Sequence, residues 1–225
     1  AGATEEVVVL EPSAKRRPEQ QWKDVMYQSD YDDVKSGRPL SDAVIDQAQH
    51  IIRGQLSWHG PGLEDVMCGL LMNFRQAYRG CHGDAPHIQI HHTGLSHWVT
   101  SSRMLPDKQV TLYDSTGPSA VPRHLEKQLA FIYGDPRDES FSVALPSVQR
   151  QIGTADCGLF AIAFAVELAL GKDPSVACFD QKKMRDHLLS CIGNCRFTSF
   201  PKRQQKGVLF TDPARPVKVD TTRRV

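Results

Sequence analysis

Gln151-Ile152-Gly153-Thr154-Ala155-Asp156-Cys157-Gly158-Leu159-Phe160 leads directly into an apolar run, residues 159–170, that stops at Gly171. A run of this length with a glycine at its end reads as a buried helix with its stop signal. The cysteine sits where that helix begins. There the positive end of the helix dipole favours thiolate over thiol and makes the sulfur nucleophilic. Structural thiols also occupy helix starts. Cys157 is therefore a nucleophile only if the rest of the chain supplies a base, an orienting group and an oxyanion site.

Upstream of this run the chain alternates between short strands and helices. Residues 141–144 read as a short strand, and residues 122–133 as a helix with Pro122 in its first turn and Leu125, Leu129 and Ile132 on one side. Residues 97–101 and 109–114 read as two strands joined by a turn at Pro106-Asp107, and Ile88 and Ile90 alternate with polar residues as in a half-buried strand. Residues 41–54 form an amphipathic helix: Ser41 is its N-cap, and Val44, Ile45, Ala48, Ile51 and Ile52 make one apolar face. His59 to Gly62 make a turn, and Leu63, Val66, Met67, Leu70 and Leu71 fit a further helical face. Downstream, Asp180 caps a last helix through Met184, Leu188, Leu189 and Ile192. The pattern predicts an α+β fold, a small and mostly antiparallel sheet flanked by helices.

The 225 residues divide into an N-terminal tail (1–20), a catalytic domain (21–200) and a basic C-terminal tail (201–225). Val7 to Leu10 suits an edge strand, and its acidic flanks resemble a segment that binds a modifier by strand addition. Lys15-Arg16-Arg17 fits part of a basic localisation signal. From residue 196 on, eight Lys or Arg face two Asp, a segment either ordered against the domain or solvated. The net charge of +1 gives no global pull toward nucleic acid or membrane, and no apolar run approaches the roughly 20 residues that span a bilayer. Six cysteines (68, 81, 157, 178, 191, 195) form no disulfide framework, and read as reduced thiols of the nucleus or cytoplasm. Cys191, Cys195 and His187 have helical spacing that matches no common zinc finger, so no metal and no cofactor are expected.

Histidine suits the base, because its pKa lies near neutrality and it can also protonate a leaving amine. Of nine histidines, His97 is the best placed: it opens a strand after a glycine-containing turn, with Trp98 directed to the opposite face. Asp114 ends the next strand. If the two strands pair as a hairpin, Asp114 returns level with His97 and can hold the imidazole tautomer. The oxyanion site then falls to the Cys157 N–H and the side-chain amide of Gln151, with Gln149 a competing choice.

The order His97-Trp98, then Leu112-Tyr113-Asp114-Ser115, then Gln151 through Phe160 resembles the ubiquitin-like-protein-specific cysteine proteases, the SUMO/sentrin (Ulp/SENP-type) family. A weaker match, Leu40 to Ile45, resembles the family's entry helix, so the resemblance spans residues 38–195. It implies a thiol peptidase or isopeptidase. Cys157 is its nucleophile, His97 its base, Asp114 its orienter and Gln151 its oxyanion donor. The substrate it implies is the C-terminal Gly-Gly tail of a ubiquitin-like modifier or its conjugates, SUMO ahead of ubiquitin, threaded through a narrow tunnel that only glycine can pass. Trp98 matches one wall of that tunnel. Pro39 falls where the family has a second tryptophan, beside Asp42 of the entry helix, and Trp22 or Trp58 are the candidates to replace it. A deubiquitinase of the same fold, a viral-type polyprotein protease, a cysteine-dependent acetyltransferase effector using coenzyme A, and an inactive modifier-binding module are the competing readings.

Overall fold

The computed structural model describes residues 7–9, 25–56, 62–63, 86–104, 109–117, 120–135, 137–204 and 214–221. The apolar run is a helix, which we label below as α4 (Cys157–Ala169). Every residue from Cys157 to Leu168 is buried, as expected of a helix without a polar face. Gly171 takes φ +71° one residue past the cap; its N–H donates to Leu168 O, and the Lys172 N–H donates to Glu167 O. This is a Schellman ending, which needs the left-handed residue that glycine supplies. The single charge in α4, Glu167, accepts from Lys202 Nζ (2.7 Å) and Ser199 Oγ (2.8 Å), which offsets its burial.

A five-stranded sheet lies against this helix, in the order β3 (Ile88–His92), β4 (Trp98–Ser102), β5 (Val110–Tyr113), β6 (Ser140–Leu145), β7 (Arg215–Asp220). Three of its four pairings are antiparallel; β5 and β6 run parallel. The parallel step requires a crossover, and α3 (Arg123–Tyr133) makes it. The expected α+β architecture is therefore observed. Strand alternation splits the core in two. Ile88, Ile90, Trp98 and Tyr113 join α4, α2 (Asp42–Gln55) and α5 (Gln181–Gly193) on one face. Val99, Leu112 and Val143 join α3 on the other.

Ser41 caps α2 as its sequence predicts: Oγ accepts the Val44 N–H. The same hydroxyl donates to Asp30 of α1 (Gln28–Ser36), at 2.6 Å. A two-stranded ribbon, β1 (Val7–Val9) with β2 (Val25–Tyr27), stands apart from the main sheet. Three features depart from expectation. α2 runs through Gly54 to Gln55. α1 was not legible, because its sequence QSDYDDVKS buries only Asp30 and Val34. Residues 215–220, inside the stretch read as a basic tail, form the sheet's last strand, with Val219 fully buried. The tail's charge masked a strand whose one deeply buried position is this valine. The expected helical face at 63–71, the turn at 106–107, Lys15 to Arg17, Cys68, Cys81, Trp22 and Trp58 lie outside the described residues, apart from Leu63. Among the described residues no helix is long and apolar enough to cross a membrane.

Candidate active site

Three elements deliver the predicted set to one place. His97 immediately precedes β4, Asp114 immediately follows β5, and Cys157 is the first residue of α4. The register pairs Thr100 with Tyr113 and Ser101 with Leu112, so Asp114 falls across from Val99 and not level with His97. The side chains meet diagonally, within the reach of long side chains on adjacent strands. His97 Nε2 donates to Asp114 Oδ1 at 2.8 Å. That leaves Nδ1 as the nitrogen for the hydrogen bond between His97 and Cys157.

The electrostatics follow from these contacts. Burial alone would lower the His97 pKa, but hydrogen bonds to Asp114 and Cys157 and the charges of both outweigh it and push His97 up to about 9. Burial would likewise raise the Cys157 thiol. Against that, the hydrogen bond to His97 and the backbone N–H groups of Trp98 and Gly158 stabilise the sulfur's negative charge, and its pKa is lowered. Asp114 is nearly sealed, which favours its neutral form, yet His97 and both donors of Thr116 hold its pKa down. The Thr116 N–H and Oγ reach Asp114 Oδ1 at 2.8 and 2.7 Å, an Asx-type turn that fixes the carboxylate. The two shifts act together, the imidazole held toward its charged form and the thiol toward thiolate.

Gln151 and Gln149 separate clearly. Gln149 is buried and clamps a backbone unit: its Oε1 accepts the Phe179 N–H (2.5 Å), and its Nε2 donates to Phe179 O (3.1 Å). Its carbonyl oxygen and one amide hydrogen are committed to Phe179, and the side chain is buried. Gln151 is half-buried; its backbone N–H donates to Ser115 O (3.0 Å), and its Oε1 accepts from Ser115 Oγ (2.7 Å). Its Nε2 donates to Gly153 O at 3.0 Å.

A cleft of about 280 Å³ is lined by Pro39, Leu40, Ser41, Asp42, His92, Ser96 and Trp98. It gathers all three predicted substrate-binding residues, Pro39, Asp42 and Trp98. Trp98 belongs to both sites, with its backbone N–H on the Cys157 sulfur and its ring in the cleft. The indole Nε1–H donates to Leu40 O at 3.2 Å, and His92 packs edge-on to the ring at 4.7 Å. Gly158 suits this close packing: a Cβ there would meet Leu40 and Trp98 at 3.1 Å each, so both would have to shift by a few tenths of an ångström.

No protein-family model matches the sequence, and no curated protein matches it. Solved structures do. One is the C-terminal Ulp1 protease domain in complex with Smt3, the yeast ortholog of SUMO, matched at TM-score 0.56 and 16% identity over 86% of this chain and 90% of that one. Another is the catalytic domain of the Chaetomium thermophilum Ulp1-like SUMO protease, at TM-score 0.55 and 19% identity over 84% and 86%. A de-sumoylating protease matches at 0.51 and 10% over 76% and 86%. The fold is that of the Ulp1-type SUMO proteases. At these identities the likeness speaks for the fold; the chemistry rests on the residues themselves.

Sequence reading missed several supporting groups. Thr116 fixes Asp114, Ser115 fixes Gln151, and His92 walls the cleft. Thr116 and Ser115 adjoin a predicted site residue, so an Asx-turn reading of Asp114-Ser115-Thr116 would have found Thr116. His92 carries no such signal.

Proposed function

We propose that the chain is a cysteine peptidase that cleaves after the C-terminal Gly-Gly of a ubiquitin-like modifier, SUMO ahead of ubiquitin, in a reducing compartment. The observation that carries this reading is the Asp114–His97–Cys157 relay, with the histidine raised and the thiol lowered. In this mechanism the Cys157 thiolate attacks the scissile carbonyl carbon. The carbonyl oxygen becomes an oxyanion and takes the Cys157 backbone N–H and, after turning from Gly153 O, the Gln151 amide. His97 gives its Nδ1 proton to the leaving amine, and a thioester joins the modifier to Cys157. His97 then takes a proton from water, which attacks the thioester and regenerates the thiolate. Asp114 keeps the imidazole oriented and stabilises its charge through both steps.

The cleft is where the modifier tail would lie. Trp98 supplies one flat wall, and Pro39, Leu40 and Ser41 also line the cleft. A proline there in place of an indole leaves more room, so selectivity rests on the walls near Pro39 and Asp42. A panel of modifiers carrying a C-terminal electrophile tests the reading directly. At least one, SUMO first, should form a covalent adduct with the wild type, and Cys157→Ala should abolish that adduct while the fold persists. Undiminished labelling of Cys157→Ala removes the nucleophile assignment. A panel without any adduct, alongside acetyl transfer from coenzyme A, rejects the peptidase. A ubiquitin adduct alone makes the chain a deubiquitinase.

A further inference from the structure

Asp156 occupies the N-cap of α4, the position from which an aspartate ordinarily turns onto its own helix and accepts the first-turn N–H groups. Here its side chain makes no such bond. Both carboxylate oxygens point instead to α5. Oδ1 accepts from Arg185 Nε at 3.0 Å and from the same guanidinium's NH2, while Oδ2 accepts from Gln181 Nε2 at 2.5 Å. The fork is itself held: Arg185 donates to Val34 O (3.1 Å), Asp33 O (3.4 Å) and Ala155 O (3.3 Å). Gln181 also brackets the loop before the cysteine. Its Oε1 accepts the Ile152 N–H and its Nε2 donates to Ile152 O, each at 2.9 Å. Gln181 and Arg185 are one helical turn apart, so α5 grips the 152–156 loop at both ends. The ion pair is largely shielded, with side-chain exposures of 15% for Arg185 and 17% for Asp156.

A carboxylate turned onto α4 would do two things. It would compete for the Gly158 N–H that now stabilises the Cys157 sulfur, and it would set a negative charge beside both the sulfur and the developing oxyanion. We propose that Arg185 and Gln181 are positioning residues for the reaction, holding the Asp156 carboxylate off the N-terminus of α4. The Gly158 N–H then stays on the sulfur, no carboxylate faces the oxyanion at the Cys157 N–H, and the field around Cys157 stays positive. The proposal rests on the peptidase reading for its rate consequence but not for its effect on the sulfur.

Two measurements test it. The pH dependence of iodoacetamide alkylation, read at the Cys157 peptide by mass spectrometry, reports thiolate formation with no substrate present. Arg185→Ala should move its midpoint up by about one pH unit. It should also lower kcat on a SUMO fusion by about 10²-fold, the scale of a lost oxyanion donor, with little change in KM. Adding Asp156→Asn to Arg185→Ala should return the midpoint to the wild-type value, which a merely structural loss would not permit. Gln181→Ala, at a half-buried site in the first turn of α5, should shift the midpoint in the same direction by less, and it serves if Arg185→Ala does not fold. A folded Arg185→Ala or Gln181→Ala with an unmoved midpoint overturns the proposal, as does a midpoint that Asp156→Asn fails to restore. If wild type cleaves no modifier, the functional reading fails while the alkylation result still decides the clamp.

Discussion

Two relays on this sheet have the same outline and opposite states. At the strand ends, beside the start of α4, a thiol, an imidazole and a carboxylate stand in series: Cys157, His97, Asp114. Within the strands, beneath α3, a hydroxyl, an imidazole and an amide do so: Ser101 Oγ lies 2.6 Å from His91 Nε2, and His91 Nδ1 lies 2.8 Å from Gln128 Oε1. The second series continues through Tyr133 to His87 Nδ1. Its protons can run in only one direction. Gln128 Nε2 donates to His92 O, so its Oε1 must accept from His91 Nδ1–H. His91 Nε2 then accepts from Ser101, Ser101 from Tyr133, and Tyr133 from His87 Nδ1–H. This leaves His87 Nε2 as a bare acceptor, consistent with its being buried without a hydrogen-bond partner. Burial drops His91 to about 4, and the neutral Gln128 cannot restore it; burial, with His91 and Arg103 nearby, drops His87 to about 3. Partial burial and the charges of Asp114 and Cys157, more than the outline of the relay, separate His97 from the fully buried His91 and His87.

The comparison breaks most sharply at Asp114. Asp114→Asn turns the reactive relay into a copy of the inert one, with an amide in place of the carboxylate. We expect kcat on a modifier fusion to fall on the order of 10²–10⁴-fold, while modifier binding changes little. Unchanged turnover would show that another group orients His97. The next largest effect concerns the two glutamines. Gln151→Ala should lower kcat by about 10²–10³-fold, the range for one oxyanion donor. Gln149→Ala should instead cost about 1–3 kcal/mol of stability, because it strands the Phe179 backbone N–H and C=O that it now satisfies. If Gln149→Ala costs more turnover than Gln151→Ala, the oxyanion role moves to Gln149.

These expectations also show what the sequence could and could not tell. The helix start at Cys157 and the paired strands carrying His97 and Asp114 were legible because each depends on local signals: an apolar run, a glycine stop, a period of two. The choice of Gln151 over Gln149 was open, because both precede the cysteine and only the fold shows which one is used up by Phe179. The buried relay was invisible for the same reason: His91 and Gln128 are 37 residues apart and meet only when α3 crosses the sheet. Arg185 and Asp156, 29 residues apart, were hidden in the same way. The diagonal of His97 and Asp114 was misread as a level pair, since strand register is set by side-chain packing on both faces and not by the turn alone.

The smallest expected effect is the pH dependence of stability, where the two relays should have opposite signs. The pKa values of His87 and His91 are depressed in the fold, so the unfolded chain binds more protons. Their contribution is present above pH 6.5 and is lost as pH falls from there through about 4 and then 3. His92, lowered chiefly by burial, adds to the same slope. His97 is raised, so its contribution is complete below pH 6.5 and is lost as pH climbs through about 9. Cys157, lowered in the fold, works against that alkaline loss because its contribution grows with pH. The alkaline slope should therefore be the shallower one. Urea unfolding at pH 5, 6.5 and 9 measures both limbs, and pH 5 is still above the range where ordinary carboxylates titrate. Stability should fall more between 6.5 and 5 than between 6.5 and 9. His91→Leu should weaken the acid slope and leave the alkaline one unchanged. An acid slope that survives His91→Leu in full would mean that this imidazole is already charged in the fold, and that an amide orients a histidine as well as a carboxylate does.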